Sequence, residues 1–326
     1  MIASILILAI SLAAVIKAAD WFLGAAESIG LKLRLPAFVL GVLLVGFGTS
    51  LPELATSMAA VADGTQNIVI ANIVGSNLAN MLVIIGLSTF FLGTIRFDKD
   101  LIDLDFPLLF SVTVFFSVLL SDGSLSRLDG GLLIGAFLAY ILYAVLHKEE
   151  PEYHKGLVSM IANLTRSKEG EPKGPVSMKG MGTDIAILVG SVVLLALGSK
   201  FSVDSLLDIV TELDIAVDVL TIVTIAIGTS LPELLVSFKA LKKGQGDLVL
   251  GNAIGSSIFN MLLVGGAASL FDVQLIDPQI LNYSIAGLLI AAGLLTLSGI
   301  TRRIHAWEGA MFIFIYIALL TKLIIV

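Results

Sequence analysis

The segment Gly48-Thr-Ser-Leu-Pro-Glu-Leu54 returns unchanged as Gly228-Thr-Ser-Leu-Pro-Glu-Leu234, 180 residues later, and both copies lie inside long apolar stretches. The same offset carries Asn72 onto Asn252, Gly75-Ser76 onto Gly255-Ser256, and Asn80-Met81-Leu82 onto Asn260-Met261-Leu262. A carboxylate at membrane depth is expensive and marks an ion site or a transport pathway. Glu53 and Glu233, each beside a proline and each set in a repeat, point to a transporter with one cation site at the repeat interface.

Composition agrees. Of 326 residues, 57% are hydrophobic and only 14% charged, where a soluble domain carries roughly a quarter charged residues. The expectation is an all-α polytopic membrane protein. There is no cysteine, which removes disulfides and thiolate metal sites. His147, His154 and His305 fall in or beside loops, so an imidazole site is not expected. The net charge of -7 argues against nucleic acid as a partner. Met1-Ile-Ala-Ser lacks the basic start of a cleaved signal peptide, which fits an uncleaved first helix with its N-terminus outside.

A span needs about 20 mostly apolar residues. Ten such stretches are read at 2–22, 38–60, 67–94, 104–121, 129–147, 184–203, 217–238, 247–271, 279–299 and 304–325. The one long polar stretch, 148–183, divides the chain into a first five-helix half (1–147) and a second (184–326). With an odd number of spans per half, the second half enters the membrane in the opposite sense, giving ten transmembrane helices as two inverted five-helix repeats. With the N-terminus outside, all but four of the 19 lysines and arginines fall on the cytoplasmic side. The exceptions are Arg127 and Lys322 outside, and Lys17 and Lys200 at span ends. That bias follows the positive-inside rule. It supports a multi-pass protein of the cell membrane with both termini outside and a cytoplasmic central loop.

The repeated residues suit a hard cation. Proline has no N–H, so Pro52 leaves the carbonyl of Gly48 without its helical donor, and Pro232 does the same to Gly228. Backbone freed in this way is tolerated at membrane depth where it lines a wet cavity or faces protein. Thr49, Glu53 and Ser57 follow at four-residue spacing on one helix face, as do Thr229, Glu233 and Ser237. In the following span Asn72, Ser76 and Asn80 share a face, and so do Asn252, Ser256 and Asn260. Gly75 and Gly255 leave room for close helix approach. The sum is an all-oxygen cluster, the ligand set of Ca2+ and Na+, of which Ca2+ takes roughly 6–8 oxygens. Ligands for zinc or copper are missing. Two glutamates carry a charge that one Ca2+ or two Na+ would balance, so competition for one charge-limited site is the simplest basis for exchange. The bland alternative, polar residues that merely glue helices together, would not require the Pro-Glu pair twice.

At these residues the chain resembles the cation/Ca2+ antiporter superfamily, and within it the short prokaryotic and archaeal sodium/calcium exchangers. The likeness covers both alpha motifs, Gly46–Gly86 and Ala226–Gly266, the ten-span layout and Asp20-Trp21-Phe22 in the first span. It implies that Glu53 and Glu233 coordinate both Ca2+ and Na+. It also implies ligand roles for Thr49, Ser50, Ser76 and Asn80, for Thr229, Ser230, Ser256 and Asn260, and for the carbonyls of Gly46 and Ala226. The family further implies that the first and sixth spans slide across a core formed by the two repeats. Some relatives carry an aspartate where this chain has Asn260. With only two carboxylates here, K+ co-transport is not expected. The central loop is too short for the regulatory Ca2+-binding domains of animal exchangers.

The expected function is a secondary active Ca2+/Na+ antiporter that works by alternating access. No cofactor, protein partner or enzymatic activity is expected, because no nucleophile–base pair or nucleotide loop is visible. The rival is a Ca2+/H+ antiporter using the same glutamates, although the Gly-Asn-x-x-Glu-type motif of the proton-coupled branch is absent. A passive cation channel is the alternative of a different class. Three other features are read as incidental. Asp98, Asp100, Asp103 and Asp105 lack the pattern of an EF-hand and read as a solvated helix entrance. Asp204, Asp208 and Glu212 read as a solvated acidic face, and Lys17 as a snorkelling side chain.

Overall fold

The computed structural model describes residues 2–33, 40–64, 67–96, 105–146, 180–212, 228, 230–271, 273–274 and 278–325. The expected central linker therefore lies almost wholly outside the described residues, as do Asp98, Asp100, Asp103, Ala226 and Thr229.

The first span is a single helix, α1 (Ile2–Leu33), and its counterpart in the second half is α7 (Met181–Glu212). Both outrun the expected 2–22 and 184–203. The charges that bound those apolar runs are instead carried within the helices and paired. Lys239 meets Asp20, Lys32 meets Asp184, and Lys243 meets Glu27 at 2.9 Å. Thirty-two residues give a helix of about 48 Å, well beyond the ~30 Å hydrocarbon layer. The two long helices lie along each other. At their crossing a Cβ on Gly198 would come within 2.5 Å of Val15, and the hydroxyls of Ser11 and Ser202 sit 2.8 Å apart.

The second span is broken. A wide π-type turn, Gly41–Gly46, runs into one short turn, Phe47–Thr49, and then into α2 (Leu51–Ala62). The third span is α3 (Asn67–Leu78), a π-type turn Ala79–Ile84, and α4 (Ile85–Leu92). There follow β1 (Ile95–Arg96), α5 (Phe106–Leu119), β2 (Ser124–Leu125) and α6 (Arg127–Leu146). The second half repeats this order. It has α8 (Leu231–Lys242), α9 (Gly246–Phe259), a π-type turn Asn260–Val264 and α10 (Gly265–Ser269). It ends with β3 (Val273–Gln274), α11 (Pro278–Gly299), β4 (Arg303–Ile304) and α12 (Ala306–Ile325). Five helical spans among the described residues are long and apolar enough to cross a bilayer by length and composition, two of them containing a π-type turn.

Two small antiparallel ribbons fix the relative sense of the halves. β1 pairs with β4, and β2 with β3. β1 and β2 lie at opposite ends of α5, and β3 and β4 at opposite ends of α11. The third span of the first half therefore ends beside the fourth span of the second, at the face opposite to the end of α10. The halves run in opposite directions, as the odd span count requires.

Small residues let the halves approach. A Cβ on Gly255 would lie 2.8 Å from Val42 Cα, and one on Gly41 2.8 Å from Leu248 O. The broken second span is thus pressed backbone to backbone on α9, the contact that glycine makes possible in membranes. Asp105, expected as part of a solvated entrance, is buried instead. It sits just before α5, where free N–H groups and the positive helix end favour a carboxylate. Asp204, Asp208 and Glu212 are exposed as expected, and the ammonium of Lys17 lies 5.6 Å over the Trp21 ring.

Candidate cation site

Each Pro-Glu pair opens a helix. Ser50 (φ −88°, ψ 3°) and Ser230 (φ −85°, ψ 8°) occupy the sparsely populated bridge region. Pro52 and Pro232 follow within the first turn, where a missing N–H costs nothing. Glu53 and Glu233 stand one residue further on, at the positive ends of α2 and α8, where a carboxylate is favoured.

Both glutamates are buried, with exposures of 1% and 0%. They belong to different halves, yet they share one place: the hydroxyl of Ser50 donates to Glu233 Oε1 at 3.1 Å. Among the described residues, both carboxylate oxygens of Glu53, Glu233 Oε2, Ser230 Oγ, and the whole side-chain amides of Asn80 and Asn260 find no hydrogen-bond partner. Asn80 and Asn260 open or nearly open the π-type turns of the third and eighth spans, a distortion often found at functional sites. Buried polar groups are otherwise paired. No lysine, arginine or histidine is among the buried residues described, so no described residue supplies a buried counter-charge. The donor set is oxygen-rich, preformed and short of positive charge, which suits a hard cation. Among the described residues no three His, Cys, Asp or Glu gather into a metal-binding group. The charge in this place comes from two carboxylates, and the remaining oxygens are neutral.

The other expected residues fall into two groups. Ser76 and Ser256 are fully buried. Ser256 donates to the carbonyl of Gly46 at 3.0 Å, and Ser50 N–H reaches the same oxygen at 3.2 Å. Thr49 Oγ1 lies 2.9 Å from Val45 O and 3.3 Å from Asn252 Oδ1. These contacts tie the broken second span to α9 beside the carboxylates. Thr229 and the carbonyl of Ala226 lie outside the described residues.

Asn72 and Asn252, read from sequence as part of the ligand face, do something else. Asn72 Nδ2 donates to the carbonyl of Glu53 (3.3 Å) and to Ser57 Oγ (3.0 Å). Asn252 Nδ2 donates to the carbonyl of Glu233 (3.2 Å) and to Ser237 Oγ (2.7 Å). A carbonyl oxygen can only accept, so the amide nitrogen must face it, which fixes both amide orientations. Sequence reasoning also missed Phe47, Phe137 and Phe259, whose ring centroids lie 5.2–5.9 Å apart next to Asn260. Phe137 lies outside both alpha motifs, so only its aromatic character could have drawn attention to it.

Known proteins resemble this arrangement. The family model described as sodium/calcium exchanger protein matches residues 3–146 and 183–325. The sodium/calcium exchanger MaX1 of Methanosarcina acetivorans is 32% identical over 343 aligned positions, which cover 98% of this chain and 97% of that protein. The inner membrane protein YrbG of Escherichia coli is 29% identical over 272, covering 83% and 81%. A solved structure of the sodium-calcium exchanger NCX_Mj, soaked with 2.5 mM Na+ and 0.1 mM Ca2+, matches with a TM-score of 0.80. That match has 27% identity and covers 98% of each chain.

Proposed function

The chain belongs to the sodium/calcium exchanger family, a family of membrane transporters and not of enzymes, and from that premise we propose that it is a secondary active antiporter exchanging Ca2+ for Na+. One observation carries the reading: Glu53 and Glu233 come from opposite halves and are buried together, and among the described residues they have no basic partner and keep unpartnered oxygens. Two buried carboxylates without a counter-ion are unfavourable. A single Ca2+ or two Na+ restore neutrality, so the site holds one cargo or the other. That exclusion is what couples the two gradients.

In this reading the ligands are Glu53, Ser50, Ser76 and Asn80 from the first half, and Glu233, Ser230, Ser256 and Asn260 from the second. Thr49 and Thr229 are ligands as well, and the carbonyls of Gly46 and Ala226 contribute at the two ends of the site. Pro52 and Pro232 free the backbone there. The first half spans 1–147, the central segment 148–183 is cytoplasmic, and the second half spans 184–326. Both termini face outward from the cell membrane. Alternating access uses the long pair α1 and α7, which adhere mainly to each other and contact the site helices along one side.

The rival is Ca2+/H+ exchange, since a glutamate can carry a proton in place of a sodium ion. Proteoliposomes loaded with Na+ and diluted into Na+-free medium are expected to take up Ca2+, while a matched set carrying only a pH gradient takes up none. Uptake driven only by the pH gradient would move the chain to the proton-coupled reading. Ca2+ flux that needs no counter-ion would make it a channel.

A further inference from the structure

Four hydrogen bonds donated by the amide nitrogens of Asn72 and Asn252 repeat closely between the two halves. Each amide bridges the main-chain oxygen of the glutamate and the hydroxyl one turn later on the same helix. Both asparagines, together with Ser57 and Ser237, are 0–1% exposed. None of these four side chains is a charge carrier, and the two serine hydroxyls are taken up as acceptors inside the bridge. Their placement matters because the helix start they hold is weak by construction. Pro52 and Pro232 cannot donate to the preceding turn, and Ser50 and Ser230 bend the chain just before them. Proline leaves the first turn that carries each carboxylate one backbone donor short on its preceding side. The amide of the neighbouring helix, α3 for Glu53 and α9 for Glu233, replaces that support from the side.

We propose that Asn72 and Asn252 are positioning residues for ion binding: each pins the backbone of its glutamate to the adjacent helix, so that the Glu53–Asn80 and Glu233–Asn260 pairs each move as one rigid half-site. The pin and the unpartnered amide lie eight residues apart on one span, the amide at the start of its π-type turn, so holding the glutamate to Asn72 also restrains its distance from Asn80. The same holds for Asn252 and Asn260. A ligand cage must be held to within about half an ångström to work, and a carboxylate on an unsupported first turn would not meet that limit. Asn252 has a second task. Its Oδ1 lies 3.3 Å from Thr49 Oγ1, which links the second half-site to the break in the first. This inference rests on the exchanger reading for the identity of the ion, but not for the geometry.

The test is equilibrium binding of 45Ca2+ to the purified full chain in detergent, well below its melting temperature, with Tm measured in parallel. A change in global stability alone leaves the Kd of the folded protein untouched, so a purely structural role predicts lower Tm with constant Kd. Loss of a buried hydrogen bond to the glutamate carbonyl is expected to weaken Ca2+ binding about tenfold in Asn72→Leu and Asn252→Leu. Ser57→Ala and Ser237→Ala, which remove one arm of the bridge, should weaken it by about threefold. Ser88→Ala, a buried hydroxyl outside the bridge, should lower Tm at most and leave Kd alone. If the leucine variants do not fold, the two serine variants decide. Kd values within twofold of wild type in the variants that fold would overturn the proposal. Wild type that binds Ca2+ without competition from Na+ would overturn the exchanger reading, while the Kd comparison among the variants would still decide the role of the asparagines.

Discussion

The long pair α1 and α7 and the broken core spans around Asn80 and Asn260 are similarly apolar, yet their environments are opposite. In the best apolar window of each, 28% of α1 and 17% of the α7 span are buried by protein, against 83% for Val69–Leu92 and 94% for Gly246–Ser269. The first two face lipid, and the second two face other helices on nearly every side. What separates them in sequence is the quality of the polar residues rather than hydropathy. The core spans carry Asn, Ser and Gly at their centres and distort into π-type turns. The long pair carries charged residues along its helices, Asp20 near the middle of α1 and Glu27, Lys32 and Asp184 toward ends, and these form ion pairs. A rigid, ligand-bearing core and a loosely seated pair are what an alternating-access device requires.

That contrast can be broken at four points, in order of expected effect. Neutralising either glutamate attacks the buried charges of the core. Glu53→Gln or Glu233→Gln should each cut the initial rate of Na+-driven Ca2+ uptake by about 100-fold, equivalent to two tenfold steps in affinity, with little loss of Tm. Equal severity for both is the sharper expectation, because the halves contribute alike. Gly255→Val fills a place where a Cβ already meets Val42 at 2.8 Å. Overpacking of this kind costs about 1–3 kcal/mol, read as a lower Tm and weaker uptake together.

Lys239→Gln with Lys243→Gln removes two of the ion pairs that seat α1 on the core. These side chains are partly exposed, so the stability cost should stay below about 1 kcal/mol per pair. The exchange rate should nevertheless change, and raising ionic strength should mimic the change in wild type by screening the same charges. A Tm drop as large as that of Gly255→Val would show that α1 belongs to the rigid core. Finally, Ile10→Val lies on the lipid face of α1, with Ile10 69% exposed. It should shift Tm by no more than the roughly 0.5 kcal/mol of an ordinary surface change.

Much of this is legible in the sequence because the repeat writes the site twice. The identical Pro-Glu pair locates both helix breaks and both buried carboxylates, and the odd span count per half gives the inversion that the β1–β4 and β2–β3 ribbons display. Three things are not legible. Helices α1 and α7 outrun their apolar stretches because Asp20, Glu27 and Asp184 read as span ends, while their partners Lys239, Lys243 and Lys32 are distant in sequence or lie on another helix. Asn72 and Asn252 are read only as sharing a face with Ser76–Asn80 and Ser256–Asn260, because helical periodicity gives a face but not the atoms a side chain meets. Asp105 reads as solvated because local acidic composition says nothing of what folds over it. Each miss concerns a tertiary contact that no local pattern encodes.

If Glu53 and Glu233 form one site for which Ca2+ and Na+ compete, a Ca2+ binding isotherm of the purified protein at a series of Na+ concentrations should show it. A single Ca2+ site is expected, and either Glu→Gln change should abolish it. Its apparent Kd should rise with Na+ more steeply than first order, because two Na+ must replace one Ca2+. Unaltered Ca2+ affinity at high Na+, or intact binding after one glutamate is neutralised, would contradict a shared site.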